Sequence, residues 1–325
     1  MTGHEVDVAT LPELDAPAAA EVMARRTEMY RHRIVQVAAL VAMVVDPVPQ
    51  ETVARLARYA DELCVREELL EAGAGLHASS RALLAVDFDR NGYLEQAARR
   101  LDLTPSAEAG VWAVDDHDPA LAARWAALAD LPPGTVGRGV HDFYLARGFE
   151  FPGRPGSAPP LLAQHDWVHV MAGYGTTVEN ELEVFGFIAR ANDDPRAFSL
   201  LAMVVRLFET GALARGAGLF EADRGHLSRA GMTVRLGDAM RRGALCRGST
   251  DFLAMDWFAV AERPIDVLRA EVGLPLKADG AQDAGSVGPW QRGGISPFQH
   301  RAGQAKAERD GREYSSFGAE PDPAR

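Results

Sequence analysis

Apolar side chains recur at three- and four-residue intervals through residues 18–45, 50–71, 76–86 and 93–101, the period of helices with one buried face. No convincing strand alternation interrupts them. The chain therefore reads as all-α. Residues 1–17 carry Gly, Pro and acids without periodicity and read as a flexible arm, and residues 18–113 form an accessory helical domain. Asp118-Pro119 starts a further helix, with Asp as N-cap and Pro at the first helical position, and opens a second helical domain over 120–275. After Pro275 the composition turns to Gly, Ala, Ser, Pro and alternating charges with isolated aromatics at Trp290, Phe298, Tyr314 and Phe317; residues 276–325 read as a disordered tail or a partner-docking strap.

Within the second domain, His165 and His169 stand one helical turn apart, with Asp166 beside them, so all three fall on one face. Gly173-Tyr174-Gly175 breaks that helix. Thr176 and Glu179 have capping-box spacing and open a return helix over 178–189, which brings Glu181 back beside the His pair after eleven intervening residues. Two imidazoles and one or two carboxylates suit zinc, although iron and manganese accept the same donor types. Asp166 has two readings, a metal ligand or a carboxylate that orients a ligand His. Because Trp167, Val168, Val170 and Met171 make the segment apolar, its ionisable groups need mutual pairing or a metal. Phe143, Tyr144, Phe149, Phe185, Phe187 and the run 198–208 supply apolar lining or simply core.

Other constellations carry less. Asp87, Asp89, Asn91, Gly92 and Glu95 match an EF-hand loop, but Ala98 stands where the bidentate Glu belongs, leaving an interhelical turn. Asp115, Asp116, His117 and Asp118 read as a polar loop before a capped helix, and His141-Asp142 lacks a second His one turn on. No phosphate-binding Gly loop and no nucleophile elbow occurs in a suitable context.

At 325 residues, 47% hydrophobic and 25% charged, the chain has the composition of a soluble globular protein with room for two cores. Its two cysteines, Cys64 and Cys246, form no C-x-x-C pair, and no basic and apolar export signal opens the chain, so the expected setting is cytoplasmic. The longest apolar stretch, residues 34–45, is too short to span a bilayer of about 30 Å. A net charge of −12 without a dense basic run argues against nucleic acid or an anionic membrane as the main partner. Only Lys277 and Lys306 are lysines among 34 basic residues.

The motif His165-Asp-Trp-Val-His169 with Glu181 resembles the zinc motif of the coenzyme Q (ubiquinone) biosynthesis protein 4 family. The similarity extends to Leu128-Ala-Asp-Leu-Pro-Pro-Gly-Thr-Val-Gly137, to Phe143-Tyr144, and to Asp256-Trp257, Pro264, Val267, Arg269 and Gly273, covering residues 128–275. It implies a helical protein, often dimeric or part of a multi-enzyme complex, that binds a hydrophobic prenylated aromatic or quinone-like molecule. It also implies loss of a ring carboxylate with hydroxylation at that carbon; peripheral contact with the inner face of the membrane is the alternative to a purely cytoplasmic setting. On this reading zinc is held by His165, Asp166, His169 and Glu181, and Asp166 and Glu181 are the catalytic residues. Two positions depart from the family pattern: Asn180 precedes Glu181 where the family has Gly, and Phe185-Gly186 replace a Lys. Residues 46–51 resemble the tellurite-resistance protein B-like helical domains over a short stretch. The competing expectation is a non-catalytic prenyl-quinone-binding or scaffold protein in a quinone or specialised-metabolite pathway.

Overall fold

The computed structural model describes residues 10–66 except 43, 46 and 47, and residues 118–322 except 156, 158–159, 192–200, 203, 206–208, 210–224 and 247–249. The expected helices over 76–86 and 93–101, the EF-hand-like turn, Asp115 to His117 and most of the run 198–208 lie outside the described residues. Among the described residues every regular element is helical, and the one β-bridge joins Thr135 to Pro264.

In the N-terminal part, the periodic stretch 18–45 is two helices rather than one, α1 (Ala16–Met23) and α2 (Glu28–Ala42). Asp15 caps α1 by accepting from Ala18 N–H at 2.9 Å, and the Thr27 hydroxyl accepts from Tyr30 N–H at 3.3 Å at the start of α2. Hydroxyl and carboxylate caps satisfy amides that a continuous helix would bond internally, so the apolar period runs on while the backbone restarts. α3 (Gln50–Glu62) stops earlier than its pattern, where Cys64 adopts a φ of 53°. Val35, Ala60, Leu63 and Val65 form a small core among these helices.

The larger part begins as expected. Asp118 accepts from Leu121 N–H at 3.0 Å and Pro119 leads α4 (Pro119–Ala126). Thr135 caps α5 (Val136–Arg147), whose first turn is held by backbone bonds from Val136 to Arg263 and from Gly137 to Ala261, 3.0 and 2.9 Å. α6 (Pro160–Ala172) and α7 (Val178–Ala191) form the hairpin that carries the motif, and α8 (Met232–Leu245) lies along α7. Close approach is needed there, because a Cβ on Gly243 would overlap the Phe187 carbonyl. α9 (Ile265–Glu271) packs on α6. No described helix is long and apolar enough to cross a membrane.

α7 is buried almost all round, Arg190 alone being less than fully buried. Such a helix is ordinarily apolar on every side. This one carries Glu179, Asn180, Glu181 and Glu183 inside the protein, so each carboxylate must find a partner.

The C-terminal expectation is corrected. Residues 276–322 are neither a loose tail nor separate from the second domain: they contain α10 (Asp279–Asp283) and α11 (Pro297–Arg309), and α11 packs against α5. Ser296 and Gln299 make a reciprocal capping box. Ile295, Gln299, Ala307 and Ala319 are buried, and Trp290 meets Phe143 and Phe317 edge-on at 6.4 and 5.9 Å. Small residues let the chain lie close to α5, where Tyr314 donates to the Ala146 carbonyl at 3.0 Å and Lys306 pairs with Glu150 at 2.7 Å. A composition poor in its own apolar surface is held by the surface of another element.

Candidate metal centre

α6 presents His165, Asp166 and His169 to the interior, and their ligand-capable atoms lie within 4.8 Å of one another. The helix ends at Gly173, whose φ of 79° is a left-handed value that glycine adopts without strain, and the amides of Gly173 and Tyr174 both return to the His169 carbonyl at 2.9 Å. The chain then reverses into α7. Glu181 reaches back so that its Oε1 is 3.3 Å from His169 Nε2 and its Oε2 is 3.6 Å from His165 Nε2, while Asp166 Oδ1 is 3.5 Å from the same His165 nitrogen. All four sequence-expected residues are thus brought together, and all are buried.

The turn is built differently from its expected capping box. Thr176 does not cap α7; its hydroxyl accepts from Arg147 Nε at 2.8 Å and donates to Gln299 Oε1 at 2.7 Å. Thr177 takes the first-turn place, accepting Glu181 N–H on its carbonyl at 2.9 Å and donating its hydroxyl to Asn180 at 2.8 Å. Glu179 turns away to His226 at 2.8 Å and to Arg229. The C-terminal segment pins the same turn: Gly175 N–H donates to the Val287 carbonyl and Thr176 N–H to the Gly294 carbonyl, both at 3.0 Å.

The surroundings hold each ligand-type group in place. Tyr144 donates to Asp166 Oδ2 at 2.5 Å, leaving Oδ1 toward His165. Phe143 stacks on His169 at 5.5 Å, and the Arg147 guanidinium lies 3.8 Å from the centre of the Phe143 ring. Phe185, one of the two departures from the family pattern, sits 5.1 Å from the His165 ring. The other, Asn180, donates to Glu183 at 2.7 Å. Gly186 faces α8, where an added Cβ would meet the Leu236 side chain. Trp167 points into the core, stacked on Trp257 at 5.8 Å. His141 is an ordinary structural residue, 3.2 Å from Asp142 and stacked on Phe151.

Electrostatics separate the two carboxylates. Burial raises Asp166 above the usual carboxylate range, with His165, His169 and Tyr144 opposing it and the Glu181 charge adding to it. Burial also pushes Glu181 upward, but the His169 and His165 contacts more than reverse that and bring it to about 2. Burial lowers Arg147 to about 9 against the pull of Asp166, Tyr314 and Glu181. His169 Nε2 is near Glu181, yet neither of its ring nitrogens has a hydrogen bond of acceptable geometry, and both are shut off from water. Buried polar atoms without partners are uncommon, and two imidazoles flanked by two carboxylates are a donor set for a divalent cation.

Tyr144, Arg147 and Thr176 are the supporting residues that spacing did not single out for these roles. Phe143-Tyr144 was conspicuous only as an aromatic pair, and Arg147 carried no local signal, since its partners Pro289 and Gly294 are more than a hundred residues away.

No protein-family model matches the chain, and no curated protein matches it. Among solved structures, it is similar to a Nostoc punctiforme protein described as a putative ubiquinone biosynthesis protein, with 18% identity, 63% of this chain and 93% of that chain covered, and a TM-score of 0.34. A superposition that shallow carries no inference about activity.

Proposed function

We propose that His165, Asp166, His169 and Glu181 hold one zinc ion and that the site removes the carboxylate from an aromatic or quinone-like ring bearing a hydrophobic prenyl tail. The observation that carries the metal reading is the clustering of donors: ligand atoms of His165, Asp166 and His169 lie within 4.8 Å of one another, and Glu181 reaches both imidazoles, one through each carboxylate oxygen, at 3.3 and 3.6 Å. The substrate class comes from the motif's resemblance to the coenzyme Q family, supported by the aromatic walls at Phe143 and Phe185.

When bound, the ion supplies Lewis-acid polarisation of a ring oxygen or carboxylate. His165, His169 and Glu181 would hold it from two helices, and Asp166 would join them through Oδ1, the oxygen that Tyr144 leaves free. Carboxylate loss as CO2 leaves an electron pair on the ring carbon, and a proton from solvent takes the place of the carboxylate there. Phe143 and Phe185 flank the two imidazoles, and the Arg147 charge beside Phe143 favours an anionic ligand.

The closure of the site favours a second reading. Structural zinc sites use four protein ligands and catalytic sites keep one position open, and here four donor side chains are all buried. On that reading the protein binds prenyl-quinone lipids or organises other enzymes, and the metal serves the fold. Glu181→Gln separates the two. In cells lacking the chromosomal copy, the variant is expected to keep the fold and accumulate the carboxylated aromatic precursor; full complementation by a folded, zinc-free variant would rule out the enzyme.

A further inference from the structure

Two residues beyond Glu181, on the opposite side of α7, Glu183 enters a second buried polar cluster. Its Oε2 accepts from Arg235 Nη2 and from Asn180 Nδ2, each at 2.7 Å. Arg242, also buried, donates to the carbonyls of Ala172 and Pro275 at 2.9 and 3.0 Å, and its guanidinium lies 5.0 Å from the centre of the Tyr174 ring. Lys277 Nζ lies 4.5 Å from the same ring, and its hydrogen bond is to the Val287 carbonyl at 2.9 Å. Asp238, the other carboxylate close by, is taken by Arg241 at 2.7 Å and by Ala278 N–H at 3.3 Å. Three basic groups therefore lie about Glu183 and Tyr174, and among the described residues only one of them, Arg235, has a carboxylate partner. Buried charge without compensation is costly.

The hydrogen-bond inventory has the same gap. Arg235 Nε, Glu183 Oε1 and Ser286 Oγ, the last beside the Val287 carbonyl that Lys277 uses, are buried without a hydrogen-bond partner, and Arg242 Nη1 and Tyr174 Oη have none beyond the approach of the Arg242 side chain to the Tyr174 hydroxyl. Four of these five atoms can donate and one can only accept. The basic residue at the solvent side is also unusual: lysine occurs at two of 34 basic positions, and here it is half-buried while Arg235, Arg242, Tyr174, Glu183 and Ser286 are buried. Burial first, then Arg242 and Arg235, bring the Lys277 amine down to about 7 against the pull of Glu183 and Asp238. An amine can shed its charge when no anion is present, which a guanidinium cannot.

We propose that this cluster binds a small oxyanion, held by Arg235, Arg242 and Lys277 with the Tyr174 and Ser286 hydroxyls as neutral donors. Because Glu183 Oε1 needs a donor, the ligand brings one O–H beside its anionic oxygens, as hydrogen phosphate or a hydroxy-carboxylate does. The donor atoms are screened from water, so the ligand enters by displacing the contact between Lys277 and Val287. The site lies across α7 from the metal centre and does not depend on it.

The two lysines make the test direct. Full-length protein carrying lysine labelled with carbon-13 at Cε gives two side-chain signals, Lys277 and the Glu150-paired Lys306, to be titrated with pH in chloride, inorganic phosphate or lactate at constant ionic strength. One signal is expected to titrate near 7 in chloride, and a bound oxyanion is expected to move that midpoint up by about a pH unit or more. Movement with phosphate alone assigns a phosphate ligand, and with lactate alone a hydroxy-carboxylate. Ser286→Ala and Arg235→Met are expected to weaken the effect about tenfold or more, and Lys277→Met is expected to retain the zinc content of the parent. No movement with either anion, equal movement of both lysines, or unchanged binding in folded Ser286→Ala and Arg235→Met would overturn the proposal.

Discussion

Tyr144→Phe isolates one hydrogen bond at the candidate metal centre. The ring is packed by Trp125 at 5.0 Å and Phe151 at 5.5 Å, and phenylalanine keeps those contacts. What disappears is the hydroxyl that donates to Asp166 Oδ2 at 2.5 Å. A hydrogen bond to a charged, buried group contributes about 1.5–3 kcal/mol. Loss of a partner that orients a metal ligand costs about 10–100-fold in affinity, or about 1.4–2.8 kcal/mol, so the two magnitudes agree. The sign with pH follows from Asp166, which burial raises and Tyr144 helps to lower. Without the hydroxyl the carboxyl rises further, protons compete better with the metal, and zinc is lost at a higher pH than in the parent protein. The assay is competition with a chromophoric chelator across the acid range, alongside circular dichroism. A folded Tyr144→Phe with parental zinc affinity at every pH would refute the assignment of Asp166 to the metal shell.

Deleting residues 276–325 is expected to lower zinc content and thermal stability together, because it removes the carbonyls that Gly175 and Thr176 N–H use and leaves buried Arg147 without Pro289 and Gly294. Each orphaned buried donor costs about 1–3 kcal/mol; a truncated chain with parental zinc and melting temperature would contradict the clamp. Limited proteolysis of the intact protein is expected to spare Trp290 and Phe298, and early cleavage there would contradict the packed C-terminal segment. Glu179 is brought down from 4.5 to about 2: burial opposes this, but its His226 hydrogen bond and Arg229 outweigh burial. A depressed carboxyl gives stability that is present above 4.5 and lost as pH falls toward 2, worth about 3 kcal/mol. Glu179→Gln should therefore narrow the difference between urea midpoints measured near neutrality and at about pH 3; an unchanged difference would contradict the pairing.

The clustering of the candidate ligands was legible because its information is local. His165, Asp166 and His169 share a helical face by spacing alone, Gly173 marks the break, and a hairpin returns Glu181 within reach of both imidazoles. Asp118-Pro119 was readable for the same reason, since a cap acts over three residues. The partners of that local geometry were not. Arg147 to Gly294 and Arg235 to Glu183 join positions with no shared period, and nothing along the chain marks them. Thr176 and Thr177 are adjacent and chemically equivalent, so the capping threonine is decided by tertiary bonds from Arg147 and Gln299. The C-terminal segment was misread because composition reports how much apolar surface a segment owns, while its order comes from surface lent by α5 and the turn before α7.

The central claim is that four side chains on α6 and α7 form one metal site. Elemental analysis of protein purified without added metal tests it most directly, in the parent and in the His165→Ala, His169→Ala double variant. The account predicts about one zinc per parent chain and none in the double variant, with most of the helical circular dichroism retained. A parent chain without metal, or a double variant with undiminished zinc, would contradict it.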